Sequence, residues 1–482
     1  MHRQHPVKIV KLMSKNFWLL LIPLVRGLIS LKGDFYGWVR GAWVDILILL
    51  FIVGSAYIRW LFSTYAVGEN SIDYRAGIFG RMKLSIPFTA LSAVAAERFF
   101  LFRPINAVNL FVDTNSGFIN APDLKITVAR KDYNVLFKKL SKPLEGEIKT
   151  SYKPSRLNLI FFSLIFSSTL SGVIFIATFI FQSGKIIGQS LETLLLTTAA
   201  DISEKLIVGL PPLAVAASII IAAGWIFSFV TNILRYIGFR IKREGKRIFI
   251  RTGFLTKRRY YINPEKINYA DIQQNLLMKI FSVMSVHVNC TGYGKAKNEL
   301  PVFVPITTKA QVISSLRFLL PDLQPSPNSV KPKLAVIFRY IMFPFYFMMG
   351  IPIAAEILYH FFPFWKSMIV FVTVMAEIPT IWLLIVKFVS FFTTGISENG
   401  ENICINYCSW FKYHTIIIPK EKIATITLTQ NKFQTFADSC NLIIYSNNEF
   451  AKSHMLISMP LKEIKELLNS AGLCKSELRF FK

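Results

Sequence analysis

Charge is scarce in this chain of 482 residues: 17% is Asp, Glu, Lys or Arg, against about 25% in an average soluble protein. With 53% hydrophobic residues and a mean hydropathy of +0.45, that scarcity argues against a wholly soluble enzyme. Acidic residues are the rarer sign, 28 against 55 Lys plus Arg, which leaves a formal charge of +27. The five cysteines, at 290, 404, 408, 440 and 474, are too few and too scattered for a disulfide framework and fit a reducing compartment. Cys404 and Cys408 lack the spacing of a Cys-x-x-Cys metal knuckle and read as small core residues. His2, His5, His287, His360, His414 and His454 make no metal spacing. Gly292-Tyr293-Gly294-Lys295 lacks the spacing and the strand-loop-helix setting of a phosphate loop and reads as a hairpin turn. The expectation is therefore no enzyme, no cofactor and no metal.

Long apolar runs are what the chain does have. A helix needs about 20 mostly apolar residues to cross the hydrocarbon layer. Ala42–Phe62, Leu157–Phe181, Leu206–Leu234 and Ala335–Phe361 qualify, as does Trp365–Phe391, which carries Glu377 and Lys387. Phe17–Leu31 is shorter and holds Pro23 and Arg26; it reads as a span or as an interfacial helix after Lys8, Lys11 and Lys15. Six spans in three pairs result, and a polar block follows each pair. Residues 63–156 carry 14 Lys/Arg against 8 acidic, 234–333 carry 18 against 5, and 392–482 carry 10 against 8. The linker Gln182–Lys205 holds only Lys185 and Lys205 against three acidic residues. Retained loops collect Lys and Arg, so the blocks are expected to be cytoplasmic on a multi-pass protein of the inner or plasma membrane. That bias explains the +27 charge without nucleic acid, which is not expected as a partner.

The polar blocks repeat one another. An offset of 176 carries Ile72, Arg75, Gly77 and Ile78 onto Ile248, Arg251, Gly253 and Phe254, and Ile86-Pro87 onto Ile262-Asn263. A further offset of 156 takes Glu265-Lys266-Ile267 to Glu421-Lys422-Ile423. In the third copy Ser409 stands at the glycine position, and the strand before it needs a one-residue slip. Each copy reads as short strands, such as Arg240–Arg243 and Arg247–Arg251 around Glu244-Gly245-Lys246, followed by one helix. Helical stripes close the copies: Val135, Leu136 and Leu140; Val312, Leu316, Leu319 and Leu320; Leu461, Ile464, Leu467 and Leu468. A small barrel or bent sheet capped by a helix satisfies this order.

Paired spans leading into Tyr65, Ile72, Arg75, Gly77, Ile78 and Phe79, then Ile86-Pro87, then Asn109-Leu110-Phe111-Val112, resemble the bacterial pleckstrin-homology-like domain of the YdbS/YdbT type. Three copies behind paired spans resemble the YdbT-like members. The resemblance implies a membrane α-helical plus α+β protein: about six transmembrane helices in three hairpins, each followed by a pleckstrin-homology-like barrel with a carboxy-terminal helix. The expected boundaries are hairpin 1–62, domain 63–150, hairpin 157–234, domain 235–323, hairpin 334–392 and domain 393–473.

Two sets of residues stand out as candidate sites. Arg240, Lys242, Arg243, Lys246, Arg247, Lys257, Arg258 and Arg259 resemble a lipid-headgroup rim on the first strand pair, and read otherwise as a solvated positive face. Alternation puts Arg240 and Lys242 on one side and Arg243 on the other. Glu356 and Glu377 are intramembrane carboxylates near Pro352 and Pro379, costly unless they pair with Arg339 or Lys387 or mark an ion path. The expected function is a non-enzymatic scaffold presenting three domains to membrane lipids and to another membrane protein of the same domain family, with oligomers an open possibility. A role in envelope maintenance or resistance to membrane-active peptides is the physiological expectation. The alternative is a transporter or ion-coupled channel using Glu356 and Glu377.

Overall fold

The computed structural model describes residues 2–15, 43–77, 82–114, 122–140, 149–165, 197–198, 200–202, 204, 212–245, 247–290, 302–447 and 453–473. Phe17–Leu31, most of Leu157–Phe181, Lys246, Gly292–Lys295 and Cys474 lie outside them.

In chain order, β1 (His2–Arg3) and α1 (Val7–Lys15) precede α2 (Trp43–Leu61). The first copy is β2 (Thr64–Val67), β3 (Ser71–Ala76), β4 (Met82–Pro87), β5 (Leu91–Phe99), β6 (Ala107–Thr114), β7 (Leu124–Ala129) and α3 (Arg130–Leu140). After β8 (Lys149–Tyr152), α4 (Arg156–Ile165) and α5 (Pro212–Tyr236) comes the second copy. It runs β9 (Arg240–Glu244), β10 (Arg247–Thr252), β11 (Thr256–Ile262), β12 (Ile267–Asn275), α6 (Leu276–Ile280), β13 (Val283–Cys290), β14 (Val304–Thr308) and α7 (Lys309–Leu319). The helices α8 (Ile337–Phe361) and α9 (Lys366–Thr393) lead into the third. That copy is β15 (Gly395–Asn399), β16 (Asn402–Ser409), β17 (Lys412–Pro419), β18 (Ile423–Thr429), α10 (Lys432–Phe436), β19 (Ser439–Ser446), β20 (Ser453–Pro460) and α11 (Leu461–Ser470).

Alternation in the sequence sets which side of each strand is buried. In β10, Ile248, Ile250 and Thr252 are buried while Arg251 is exposed. The closing helices bury the expected stripes with one correction. Val135 is 48% exposed, and Tyr133, one turn earlier, takes the inward position with Leu136 and Leu140. Val135 is adjacent to Leu136, so only one of the two fits the core-facing row of a 3.6-residue period. The third copy's slip is visible in its ladder: Ile418 pairs with Ile403, whereas the repeat-equivalent Ile262 pairs with Ile248. Its hairpin closes on Trp410-Phe411, with Trp410 at φ 51°, where the other copies use Gly77 and Gly253 at positive φ.

Strand pairing crosses the boundary between copies. The strands form sheets in the order β1-β2-β3-β4, β7-β6-β5-β11-β10-β9-β8, β14-β13-β12-β17-β16-β15 and β18-β19-β20. Thus β11 of the second copy adds to β5 of the first from Thr256↔Phe99 to Ile262↔Ala93. Likewise β17 of the third adds to β12 of the second from Ala270↔Ile417 to Asn275↔Lys412. The chain accordingly divides into two compact units that split the second copy, with Gly238–Lys266 in the unit of the first copy and Ile267–Asn289 in that of the third. The first unit's core joins Tyr65, Ile72 and Ile86 to Val94, Leu110, Ile126 and Leu136, with Tyr261 of the second copy. The other core joins Ile403, Ile405, Ile416 and Ile418 to Leu442, Ile444, Leu456 and Ile464, with Tyr269 of the second copy.

Among the described residues three helices are long and apolar enough to cross a membrane, and they fall in α5, α8 and α9. The apolar part of α2, Leu49–Leu61, is shorter. At about 1.5 Å per residue α8 and α9 measure roughly 37 and 42 Å, more than the hydrocarbon layer requires. Phe162 of α4 meets Tyr236 of α5 edge-on, ring centroids 4.7 Å apart.

At the first seam Arg258 pairs with Glu97 directly across the ladder, Nε to Oε1 2.8 Å, an ion pair by distance without hydrogen-bond alignment. Both side chains are almost wholly buried, so removing one strands the other's charge. Glu97→Ala is expected to lower the stability of the first unit by about 3 kcal/mol. Differential scanning fluorimetry of the detergent-solubilised chain measures it, and an unchanged melting temperature would show the pair to be inert.

Candidate functional site

The basic residues singled out in the second copy are sorted by the first seam. Residues in register across a ladder share a face, as do alternate residues along a strand. Arg240 pairs with Arg251 and Arg251 with Arg259, so three arginines stand in one cross-strand row. Lys242, Arg247 and Lys257 lie on the same face, and Lys257 stands opposite Arg98 of the first copy. Arg240, Lys242, Arg251, Lys257 and Arg259 are exposed. Like charges in direct register are unfavourable. The Arg103 guanidinium above all, with slight burial and the nearby Arg251, Arg98 and Arg259, pushes the Lys257 ammonium below its ordinary value.

The remaining candidates leave this face or are tied at its margin. Arg258 turns to the opposite face and is consumed by Glu97. Arg243 also faces away and donates from Nε to the Gly245 carbonyl, 2.8 Å. Arg247 donates from Nη1 to the carbonyl of Leu140 at the end of α3, 2.8 Å, and Arg259 from Nη1 to the Tyr133 hydroxyl, 3.2 Å. Lys246 lies outside the described residues.

The second seam carries different chemistry at the equivalent places. Gln273 and His414 occupy the register positions that Glu97 and Arg258 hold in the first. His414 reaches along the strand instead, its Nδ1 3.0 Å from Oδ2 of Asp271, which also accepts from Gln273 at 2.7 Å. The Tyr407 ring stacks on His414, and its hydroxyl lies 3.0 Å from Nδ1 of the fully buried His454. Burial alone would raise the Asp271 carboxyl. The hydrogen bond and charge of His414 outweigh it, with His287 and Gln273 adding, and hold it below the usual carboxylate range. Nothing in the pattern Ile267-Asn268-Tyr269-Ala270-Asp271 marked this network, because Asp271 and His414 are 143 residues apart.

A cleft of about 630 Å3 beside α8 and α9 was also not legible in the sequence. Arg339 and Tyr340 of α8, Leu383, Lys387 and Ser390 of α9, and the Trp410 turn line it, and among the described residues no carboxylate does. Lys387 donates to the Cys408 carbonyl at 3.4 Å, and Tyr340 from its hydroxyl to the Ile457 carbonyl at 2.7 Å. Glu356 is exposed on α8. Both carboxylate oxygens of Glu377 are buried without a hydrogen-bond partner among the described residues. Neither glutamate forms an ion pair with Arg339 or Lys387 there. Cys290, Cys404 and Cys440 are buried and Cys408 is half-buried.

The Asp271 geometry makes stability acid-dependent. A carboxyl held low in the folded chain contributes fully above its unfolded value of about 4, and that contribution fades as pH falls through the folded value. Melting temperature is expected to drop as pH falls below about 4, and Asp271→Asn to remove that part of the slope while costing about 2 kcal/mol at neutral pH. An identical acid slope in the variant would assign the dependence to other groups.

Three stretches of the chain, residues 19–142, 194–317 and 346–472, match the bacterial PH domain. The chain is 20% identical over 319 residues to a curated protein of Bacillus subtilis (strain 168) described as UPF0699 transmembrane protein YdbT. That match covers 61% of this chain and 64% of the relative, less than two thirds of the relative's length. No solved structure matches.

Proposed function

Because the chain belongs to the bacterial PH domain family, we propose that it is a non-enzymatic multi-pass membrane scaffold whose basic sheet face meets anionic lipid. In this reading six spans form three hairpins and hold the three copies on the cytoplasmic side. The relative's description as a transmembrane protein supports the membrane placement. The carrying observation is the in-register row Arg240, Arg251 and Arg259 with Lys242 and Lys257 on the same side of the sheet, all five side chains exposed. Each Lys or Arg near an anionic leaflet contributes about 1 kcal/mol, within a Debye length of the surface. The spans already retain the chain at the membrane, so this attraction orients the face rather than recruiting the protein. The cationic cleft at Arg339 and Lys387 supports the same reading beside the spans. A role in envelope maintenance or resistance to membrane-active peptides belongs to this proposal and is read from survival of a deletion strain under peptide challenge.

Hydrogen–deuterium exchange of the full chain in nanodiscs tests the lipid face. Phosphatidylglycerol discs are expected to protect residues 240–259 relative to phosphatidylcholine discs. Protection is expected to fade near 1 M salt, where the screening length is about 3 Å. It is also expected to vanish in Arg240→Gln/Lys242→Gln/Arg251→Gln/Arg259→Gln. Equal exchange in both lipids would end this reading.

The buried oxygens of Glu377, without a hydrogen-bond partner among the described residues, favour a second reading, an ion path through the α8–α9 pair. It predicts that Glu377→Gln abolishes a proton or cation flux in proteoliposomes while the chain still inserts. Absence of any flux in the wild-type chain counts against it.

A further inference from the structure

The two seams are one interaction used twice. In each, the third strand of a copy adds antiparallel to the fourth strand of the copy before it. The register is also the same in repeat coordinates: Tyr261 pairs with Val94, and Ile417, 156 residues after Tyr261, pairs with Ala270, 176 residues after Val94. Three copies supply three such acceptors and three such donors, but two seams use only two of each. Among the described residues β18, the acceptor of the third copy, pairs with β19 alone, and β4, the donor of the first, pairs with β3 alone.

Among the described residues both open edges are also less buried than their equivalents. The first six residues of β5 and of β12 are all buried. In β18 only Leu428 is buried, and Ala424 and Thr425 are exposed. In β4 only Ile86 is buried, whereas β11 buries Arg258 and the run Tyr260–Ile262. The open β18 edge reads Ile-Ala-Thr-Ile-Thr-Leu-Thr, with none of the Lys or Pro that natural edges use against pairing. Its register shift between Ile423 and Thr425 is no protection, since β5 has the equivalent shift between Leu91 and Ala93 and still accepts a strand. The position equivalent to the Glu97–Arg258 pair would be Thr429 beside Met82, which leaves no buried charge to satisfy.

We propose that β18 is the docking edge for β4 of a second copy of this chain, joined in the register of the two internal seams. Carrying that register over puts Ser85 opposite Ile426 and Leu84 opposite Thr427. The chain bears both complementary edges, and the occupant is therefore written into its own topology. The two edges are different surfaces, so the association is heterologous and either closes into a ring or continues as a filament.

Cysteine crosslinking of the full chain in native membranes tests this. Two differently tagged forms are co-expressed, one carrying Ser85→Cys and the other Ile426→Cys, with Leu84→Cys and Thr427→Cys as the second in-register pair. Mild oxidation is expected to join the two tags for both pairs, and not for Ser85→Cys with Thr429→Cys, which is out of register. Thr425→Lys/Thr427→Lys, which charges the edge, is expected to abolish the assembly seen by light scattering while the melting temperature holds. The proposal is overturned if neither in-register pair links the tags, if the out-of-register pair links them equally, or if Ile426→Cys links only to a different protein. The lipid-face experiment does not depend on this result, so either can fail alone.

Discussion

Every strand edge presents a row of backbone donors and acceptors that must be paired, covered or left to water. In this chain that requirement is met by the next copy of the same module. Fourth strands β5 and β12 are central in their sheets only because β11 and β17 arrive from the following copy. Much else depends on this addition. It pairs Ala93–Phe99 of β5 and Ala270–Asn275 of β12 with a strand of the following copy, divides the second copy between two compact units, and carries a tyrosine of the second copy into each neighbour's core.

The seams are alike in backbone and different in side chains. The first is secured by an ion pair across the ladder between Glu97 and Arg258. In the second, His414 stands where Arg258 does and turns to Asp271, two residues along from the register partner Gln273. Asp271 occupies the position of Ala95 in the first seam, so a carboxylate has been added where the first copy has a methyl group. Backbone pairing supplies the attachment in both cases. The buried polar groups restrict which register each seam accepts, because a slip would leave a charge without its partner.

The same addition decides what the basic cluster presents. Of the eight cations read from the second copy, Arg258 is withdrawn into the first seam, Arg243 faces away and Arg247 is tied to the Leu140 carbonyl. The exposed Arg240, Lys242, Lys257 and Arg259 are aligned by ladder register into one face, which Arg98 of the first copy extends. An anionic surface is the natural complement of a row whose members repel one another. Helices α5, α8 and α9 are long and apolar enough to cross a membrane.

Much of the fold was legible because it is local. Alternating Ile248 and Ile250, the offsets of 176 and 156, the slip before Ser409 and the helical stripe at Ile464, Leu467 and Leu468 are all consequences of side-chain period within a short segment. The opposite facing of Arg243 from Arg240 and Lys242 followed from the same rule. Where two apolar neighbours competed for one inward place, as Val135 and Leu136 did, period alone did not choose. Which copy a strand edge joins was decided only in three dimensions. A ladder is made by backbone groups common to every residue, so the periodicity of β11 does not direct it to β5, and the Glu97–Arg258 pair is recognised only once the strands meet. The burial of Arg258, the Asp271–His414 contact and the Arg339–Lys387 cleft share that origin, since each brings together residues that no periodicity relates.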